Sequence, residues 1–351
     1  MILDQPERFA ELDPQDMLGE IGGLPAQLQS AWKLSQVLPL PSLDPIRQVV
    51  IAGMGGSAIG ADLLAAYAAP YARVPILTWR NYDLPRFVGP DTLLIASSHS
   101  GNTEETLSAF ERALQGGVKA LAVTTGGALA ERAEAASVPL WRFEHDGQPR
   151  AAVGFSFGLL LGALVRLGVV EFDPVELDST LQAMRDQAVS IRAAVPVAKN
   201  LAKRMAGQLM DRWPTILGAD LLAPVARRWR TQISEIAKAM AQFEELPEAD
   251  HNMVAGVEHP KAMIGPTMVV FLRSSFNHPR NLKRLEATRH VLMLEGFNTD
   301  IIECPGPSRL AQQWTGLHLG DYLAYYLAMA YGVDPTPVFA IEDLKVQLRP
   351  S

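Results

Sequence analysis

Residues 48–69 read QVVIAGMGGSAIGADLLAAYAA. After Gln48 the residues Val49 to Ala52 are all apolar, the run is closed by Gly53, and from Ser57 onward small and apolar residues recur at helical spacing. The unit is a strand, a glycine turn and a helix. The strand is apolar throughout instead of alternating, as expected where a sheet is covered on both faces. The same texture continues outward. VPILTW (74–79), DTLLIAS (91–97), VKALAVTT (118–125) and VPLWRF (138–143) are short strand-like runs. TEETLSAFERALQGG (103–117) and GGALAERAEAAS (126–137) are helical patterns between them. Strands alternating with helices of this length predict βαβ units and a parallel sheet.

The pattern returns in the second half. PTILGA (214–219) leads into DLLAPVARRWRTQISEIAKAMAQF (220–243), read as one helix. AMIGPTMVVFL (262–272) precedes a long helix ending near Gly296, and TDIIECPG (299–306) follows. TILGADLLAPVARRW echoes VIAGMGGSAIGADLLA but lacks its Gly-Gly-Ser turn. Two similar α/β domains are predicted, of which the first keeps the ligand loops. Residues 1–38 read as amphipathic helix before Pro39, Pro41 and Pro45, and residues 172–210 as a helical bridge. The expected division is a helical N-terminal extension (1–45), a first domain (46–170), a helical connection (171–210) and a second domain (211–351).

A length of 351 residues fits two domains. The net charge of −7 argues against a general nucleic-acid binder, which carries a basic stripe, and leaves room for a small anion held locally. Cys304 is the only cysteine, so no internal disulfide can form. The opening MILDQPERFAELD lacks a basic segment followed by an apolar core, and a cytoplasmic protein is expected. The uncharged run from Ala151 to Val165 is short for a membrane span and reads as a buried helix.

GMGGSA, Gly53 to Ala58, nominally matches the dinucleotide fingerprint. That fingerprint also wants an acid at the end of the next strand, where this chain has Arg80 and Asn81. It is not a P-loop, because no Gly-Lys-Ser/Thr ending follows. Two readings fit the turn alone. One is an anion site built from a helix N-terminus, with Gly55 and Gly56 admitting the ligand and Ser57 adding a hydroxyl. The other is a tight turn with Ser57 as N-cap.

SSHSGNTEET (97–106) is the next strand-to-helix turn but one. In a parallel sheet both turns lie at the carboxyl edge, so Ser57, Ser98, Ser100 and Thr103 can converge there. A phosphate monoester needs several donors and can be held by hydroxyls and helix-end amides. The bland alternative is a serine-rich turn with a capping box between Asn102 and Glu105. Two such loops in one domain favour phosphate.

These residues resemble a known family. GMGGSAIGADLL with SSHSGNTEETL is similar to the sugar isomerase (SIS) domain, a phosphosugar-binding fold. DGQPRAAVGFSFG (146–158), RTQISEIAKA (230–239), ELPEADHNMVAG (245–256) and GVDPTPVFAIEDLK (332–345) resemble the bifunctional phosphoglucose/phosphomannose isomerases. The resemblance implies two doubly wound parallel-sheet SIS-type (flavodoxin-like) α/β domains, with a helical N-terminal segment and interdomain helices. It implies an aldose–ketose isomerase for glucose 6-phosphate and mannose 6-phosphate that works through an enediolate. By the same resemblance Glu235 is the base and His251 opens the sugar ring, contributed by the neighbouring subunit of a homodimer. Arg150 faces the enediolate oxygens, Lys345 reaches the site, and Thr336 is a weaker candidate. His99, where relatives often have tyrosine, is assigned no role, and Ile236 stands where they often have asparagine.

Helix position alone makes Glu235 an ordinary solvated glutamate beside an apolar stripe of Trp229, Ile233, Ile236 and Met240, with Gln232 and Lys238 on the polar arc. The seven histidines are scattered, with no zinc-ligand spacing between His251 and His259, so no metal and no cofactor are expected. Expected partners are a sugar phosphate and a second copy of the chain, without nucleic acid or membrane. The competing readings are a non-catalytic sugar-phosphate sensor, or an isomerase of a different phosphosugar.

Overall fold

The computed structural model describes residues 2–42 and 45–348. The chain forms two compact units. The first comprises Gly22–Arg185 and Pro305–Thr315. The second comprises the chain up to Ile21, Asp186–Cys304, and the chain from Gly316 onward.

In the first unit five strands, β1 (Gln48–Ala52), β2 (Ile76–Trp79), β3 (Thr92–Ser97), β4 (Lys119–Thr124) and β5 (Leu140–Arg142), form one sheet in the order β2-β1-β3-β4-β5. All four pairings are parallel. Every residue of β3 is buried, as the unbroken apolar run requires. The order reverses direction at β1 and β3, which places a crevice at the carboxyl ends of these neighbours.

The uncharged run is a buried helix, Val153–Arg166. Gly154, Gly158 and Gly162 recur every four residues on the face that meets the helix Leu24–Ser35. A Cβ on Gly154 would stand 2.7 Å from Gln27 Oε1, and one on Gly158 2.7 Å from Ala31 Cβ. The glycines therefore set how closely the two helices approach. Gln27 completes the seat: its Oε1 accepts from Gly154 N at 2.7 Å, and its Nε2 donates to the Ala151 carbonyl at 3.0 Å. Among the described residues no helix is long and apolar enough to cross a membrane.

In the second unit β6 (Trp213–Ala219), β7 (Gln242–Leu246), β8 (Thr267–Arg273) and β9 (Asn298–Glu303) form a parallel sheet in the order β7-β6-β8-β9. The first four positions of the other sheet follow the same order, so the weak echo between residues 50–65 and 215–229 marks corresponding strand–helix turns.

Several expectations need correction. The helix predicted over residues 220–243 is Ala223–Ile236, preceded by a short 3-10 turn, and β7 follows it. No glycine or proline marks the stop. Lys238, at φ 56°, takes the left-handed conformation and ends the helix. Met240 therefore lies outside the apolar stripe and is 69% exposed, whereas Trp229, Ile233 and Ile236 are fully buried. Gln232, placed on the polar arc, is also buried. Strand β7 was missed because it is an edge strand whose sequence, QFEEL, is polar and only part-buried. The N-terminal helix comes in pieces, Phe9–Leu12, Met17–Gly22 and Leu24–Ser35. It is interrupted at Asp13, whose carboxylate accepts from the backbone amides of Met17 at 2.8 Å and Leu18 at 3.0 Å.

Candidate active site

The first-unit residues singled out from the sequence meet at the carboxyl edge of β1 and β3. Gly53 closes β1, and a Cβ there would stand 2.8 Å from the Ser97 carbonyl oxygen, so glycine lets the first loop lie against the root of the second. The helix Gly55–Ala68 then starts, with Met54 as N-cap and no capping side chain. Ser57 is inside the first turn and buried, so the reading of Ser57 as N-cap does not hold. Gly55 sits at φ 50°, and a Cβ there would meet no described atom within 4 Å. The Ser57 and Ala58 amides donate to the Met54 carbonyl at 3.1 and 3.3 Å, so the helix start points the amides of Gly55 and Gly56 outward, and the face beside Gly55 is open to an anion.

The second loop is held from within. Ser98 Oγ lies 3.0 Å from Thr103 Oγ1 and accepts from Gly101 N at 3.1 Å, while Ser100 Oγ accepts from Asn102 N at 3.2 Å. Gly101 is at φ 69°, and a Cβ there would overlap the Gly126 carbonyl of the next loop. The capping box between Asn102 and Glu105 is not formed. Thr103 is the N-cap of the helix Glu104–Gln115, and Asn102 Oδ1 instead accepts from Ala128 N at 3.0 Å. The loop thus presents hydroxyls anchored to its own backbone and to the following turn.

Arg150 lies against the first loop. It lies in the 3-10 turn Pro149–Ala151 and is 5% exposed. A Cβ on Gly56 would stand 2.5 Å from the Pro149 carbonyl oxygen and 3.4 Å from Arg150 Cα, so the first helical turn and the arginine turn are in direct contact. Arg80, at the place where a dinucleotide site wants an acid, pairs with Asp62 of the Gly55–Ala68 helix at 3.1 and 2.5 Å. His99 pairs with His145 at 2.9 Å. Burial first, and then the neighbouring His145, push the His99 ring down to about 4.

In the second unit Glu235 is part-buried at the last turn of Ala223–Ile236. Arg228, two turns earlier on this helix, forms a buried pair with Asp321 at 3.0 and 2.6 Å, which fixes the helix against Arg309–Tyr331. Lys238 Nζ donates to the carbonyl of Glu235 at 2.6 Å and to that of Pro335 at 3.2 Å. This brings the buried Thr336 segment to the end of the Glu235 helix. Ile236, where relatives often have asparagine, is core. His251 is exposed and ends the 3-10 turn Glu248–His251. Its neighbour Asp250 anchors that turn, accepting from Arg284 at 2.8 Å and Thr288 at 2.6 Å. Lys345 is exposed on the helix Phe339–Gln347, which has no buried residue.

The second unit has its own switch point, between β6 and β8, and it is filled. Asp220 follows β6 at φ 49°. Its carboxylate accepts from Asn281 Nδ2 at 2.9 Å and from the His278 amide at 2.9 Å, at the start of the helix Pro279–Leu294. The turn that corresponds to the Gly53–Ser57 loop of the first unit thus carries the protein's own carboxylate. The missing Gly-Gly-Ser turn was the sequence signal for this. The roles of His145, Lys238, Asp220 and Asp250 were not read from sequence, because their partners are set by the fold. Among the described residues no three His, Cys, Asp or Glu side chains are grouped to hold a metal ion.

Residues 198–348 match the family described as the bacterial phospho-glucose isomerase C-terminal SIS domain. The bifunctional phosphoglucose/phosphomannose isomerase of Caldicellulosiruptor bescii is 39% identical over 336 residues, which is 95% of this chain and 98% of that protein. The protein of the same name from Aquifex aeolicus is 33% identical, covering 88% of this chain and 92% of its own. A solved structure of a hypothetical protein from Thermus thermophilus superimposes with a TM-score of 0.73 at 18% identity, over 98% of this chain and 93% of that one, and shows the shared fold. Carrying the tandem sheets, the paired loops and sequence similarity along nearly its whole length, the chain belongs to the bifunctional phosphoglucose/phosphomannose isomerase family.

Proposed function

We propose that this protein interconverts glucose 6-phosphate and mannose 6-phosphate with fructose 6-phosphate by proton transfer through a cis-enediolate. The observation that carries this reading is the pair of hydroxyl loops after β1 and β3, with Arg150 seated against Gly56. The sugar phosphate is held by the amides of Gly55 and Gly56 and the hydroxyls of Ser57, Ser98, Ser100 and Thr103. The domain of residues 46–170 supplies this grip, and the domain of residues 211–351 supplies the base.

Glu235 takes the proton from C2 of the open aldose. The C–H electrons form the C1–C2 double bond, and the carbonyl π electrons move to O1. Arg150 stabilises that oxyanion, which is formed in the transition state and is where fixed charge lowers the barrier most. The O2 hydroxyl proton passes to O1, the O2 electrons form the C2 carbonyl, and the C1–C2 π electrons take the proton back from Glu235 at C1, giving the ketose. C2 is planar in the enediolate. Re-protonation there on one face gives the glucose configuration and on the other the mannose configuration, so one intermediate serves both aldoses, with a turn about the C2–C3 bond presenting either face to the base. His251 opens the sugar ring as general acid and base, acting from the second subunit of a homodimer. Lys345 and Thr336 support the ring-opening end. The steps use protein groups alone, as expected of a cytoplasmic enzyme of central sugar-phosphate metabolism.

The test is a coupled assay on EDTA-treated protein, starting from fructose 6-phosphate and following the two aldose phosphates separately. Formation of both is expected. Glucose 6-phosphate alone would narrow the specificity. Saturable sugar-phosphate binding without turnover would replace the isomerase by a sensor.

A further inference from the structure

His99 lies between two of the proposed phosphate-binding serines and has no task in that reading. Its Nε2 shares a hydrogen bond of 2.9 Å with His145 Nδ1, and the rings stand edge to face at 87° with centroids 5.1 Å apart. The contact joins stretches 46 residues apart in sequence. One is the second loop, with Ser98 and Ser100. The other is the connection that runs from β5 into the Arg150 turn.

Rings reinforce the join on both sides of Arg150. Phe143, before it, stacks on Phe155, after it, with centroids 4.9 Å apart at 23°. His99 meets the edge of Phe143 at 5.8 Å, and His145 meets Phe155 at 6.0 Å. Before the arginine turn Phe143 and His145 both meet His99 of the second loop, and after it Phe155 backs these two rings. Stacked rings can slide, whereas a hydrogen bond between two ring nitrogens fixes distance and direction.

We propose that the His99–His145 pair is a clasp that sets the position of Arg150 relative to the phosphate-binding hydroxyls. It would thereby fix the span between a bound phosphate group and a negatively charged oxygen at the far end of the same sugar phosphate. Both histidines are positioning residues. The proposal rests on reading these loops as the phosphate site and Arg150 as the partner of the developing oxyanion.

Two probes separate the ends of that span. Inorganic phosphate occupies only the loops. 6-Phosphogluconate carries a phosphate and, at C1, a carboxylate in place of the reacting carbonyl. Binding of each is measured by calorimetry for the wild type and for His145→Ala, His99→Phe and His145→Asn. His99→Phe keeps a packed ring and removes only the hydrogen bond, so it serves if His145→Ala does not fold. Asn places an amide nitrogen near the Nδ1 position and is the conservative rescue. Misplacing a group by about an ångström costs on the order of 10-fold to 100-fold. His145→Ala and His99→Phe are expected to weaken 6-phosphogluconate by about 10-fold while phosphate stays within about twofold, and His145→Asn to recover most of the loss. Turnover should fall in kcat more than it rises in KM.

Equal weakening of both probes would make the pair a structural part of the phosphate loop and overturn the proposal, as would unchanged binding or failure of the Asn rescue. Wild-type protein that shows this binding pattern but no turnover of fructose 6-phosphate would end the isomerase reading and leave the clasp standing. Wild-type protein that binds neither probe would remove the phosphate reading and the clasp with it.

Discussion

Lys238 Nζ donates to the backbone carbonyl of Glu235 at 2.6 Å, so the residue that ends the helix also ties down the backbone of its candidate base. A cation at this end satisfies carbonyls that lack partners in the helix and opposes the helix dipole. The two residues should respond differently to substitution. Glu235→Gln keeps the shape and removes the base, and turnover should drop by roughly 10²- to 10⁴-fold. Inorganic phosphate should still bind, because its proposed donors lie elsewhere. Lys238→Met should instead cost about 1 kcal/mol of stability, read by denaturant unfolding. Full activity in Glu235→Gln would remove it as the base.

Gly56 has no room for a side chain. A Cβ there would stand 2.5 Å from the Pro149 carbonyl oxygen, which is backbone and cannot swing aside. Gly56→Ala should push the first helical turn away from the Arg150 turn, destabilising the fold by about 1–3 kcal/mol and weakening sugar-phosphate binding. Gly55→Ala should act differently, because space is open there and only the left-handed φ of 50° opposes the change, at about 1–2 kcal/mol. Comparing the melting temperatures and phosphate affinities of the two variants checks this. Equal effects would mean that contact with the arginine turn is not what constrains Gly56.

Most of the first sheet was legible because each of its strands is a compact run closed by glycine, proline or polar residues. The hydroxyl loops were legible because their residue types are unusual for a bare turn. The end of the Glu235 helix was not, since Lys238 carries no local signal for a left-handed stop and AKAMAQF continues the helical pattern. Strand β7 was hidden because an edge strand with a wet face need not be apolar. Side-chain pairs such as His99–His145 and Asp220–Asn281 depend on which loops the sheet order makes neighbours. That order is a property of long-range packing, and no short window of sequence contains it.

The exposed position of His251 gives a test of the proposed exchange between subunits. Glu235→Gln and His251→Ala are each expected to be inactive alone. If His251 acts in the neighbour's site, a mixed dimer of the two variants has one site with both defects and one with neither. Random mixing makes half the dimers mixed, so about a quarter of wild-type activity should return after co-refolding or co-expression. No recovery, with mixed dimers verified by differential tagging, would place His251 in its own chain's site.

His99 makes stability depend on acid in a defined window. Its ring is pushed from the ordinary 6.5 down to about 4, first by burial and then by His145. The unfolded chain takes up this proton near pH 6.5, while the folded chain resists it until about pH 4. Above pH 6.5 both states hold a neutral ring, and the group contributes no pH dependence. As pH falls from 6.5 to 4 the unfolded state is favoured progressively, and below 4 the loss levels off. The ring is partly open to solvent, so the full shift is discounted to a cost of about 1–2 kcal/mol. His99→Phe has no titrating ring, so its stability should fall by about that much less than the wild type's between pH 7 and pH 4. Urea unfolding at several pH values, with the difference between the two proteins plotted against pH, cancels the titrations they share. A flat difference would show that the folded protein does not hold this histidine neutral.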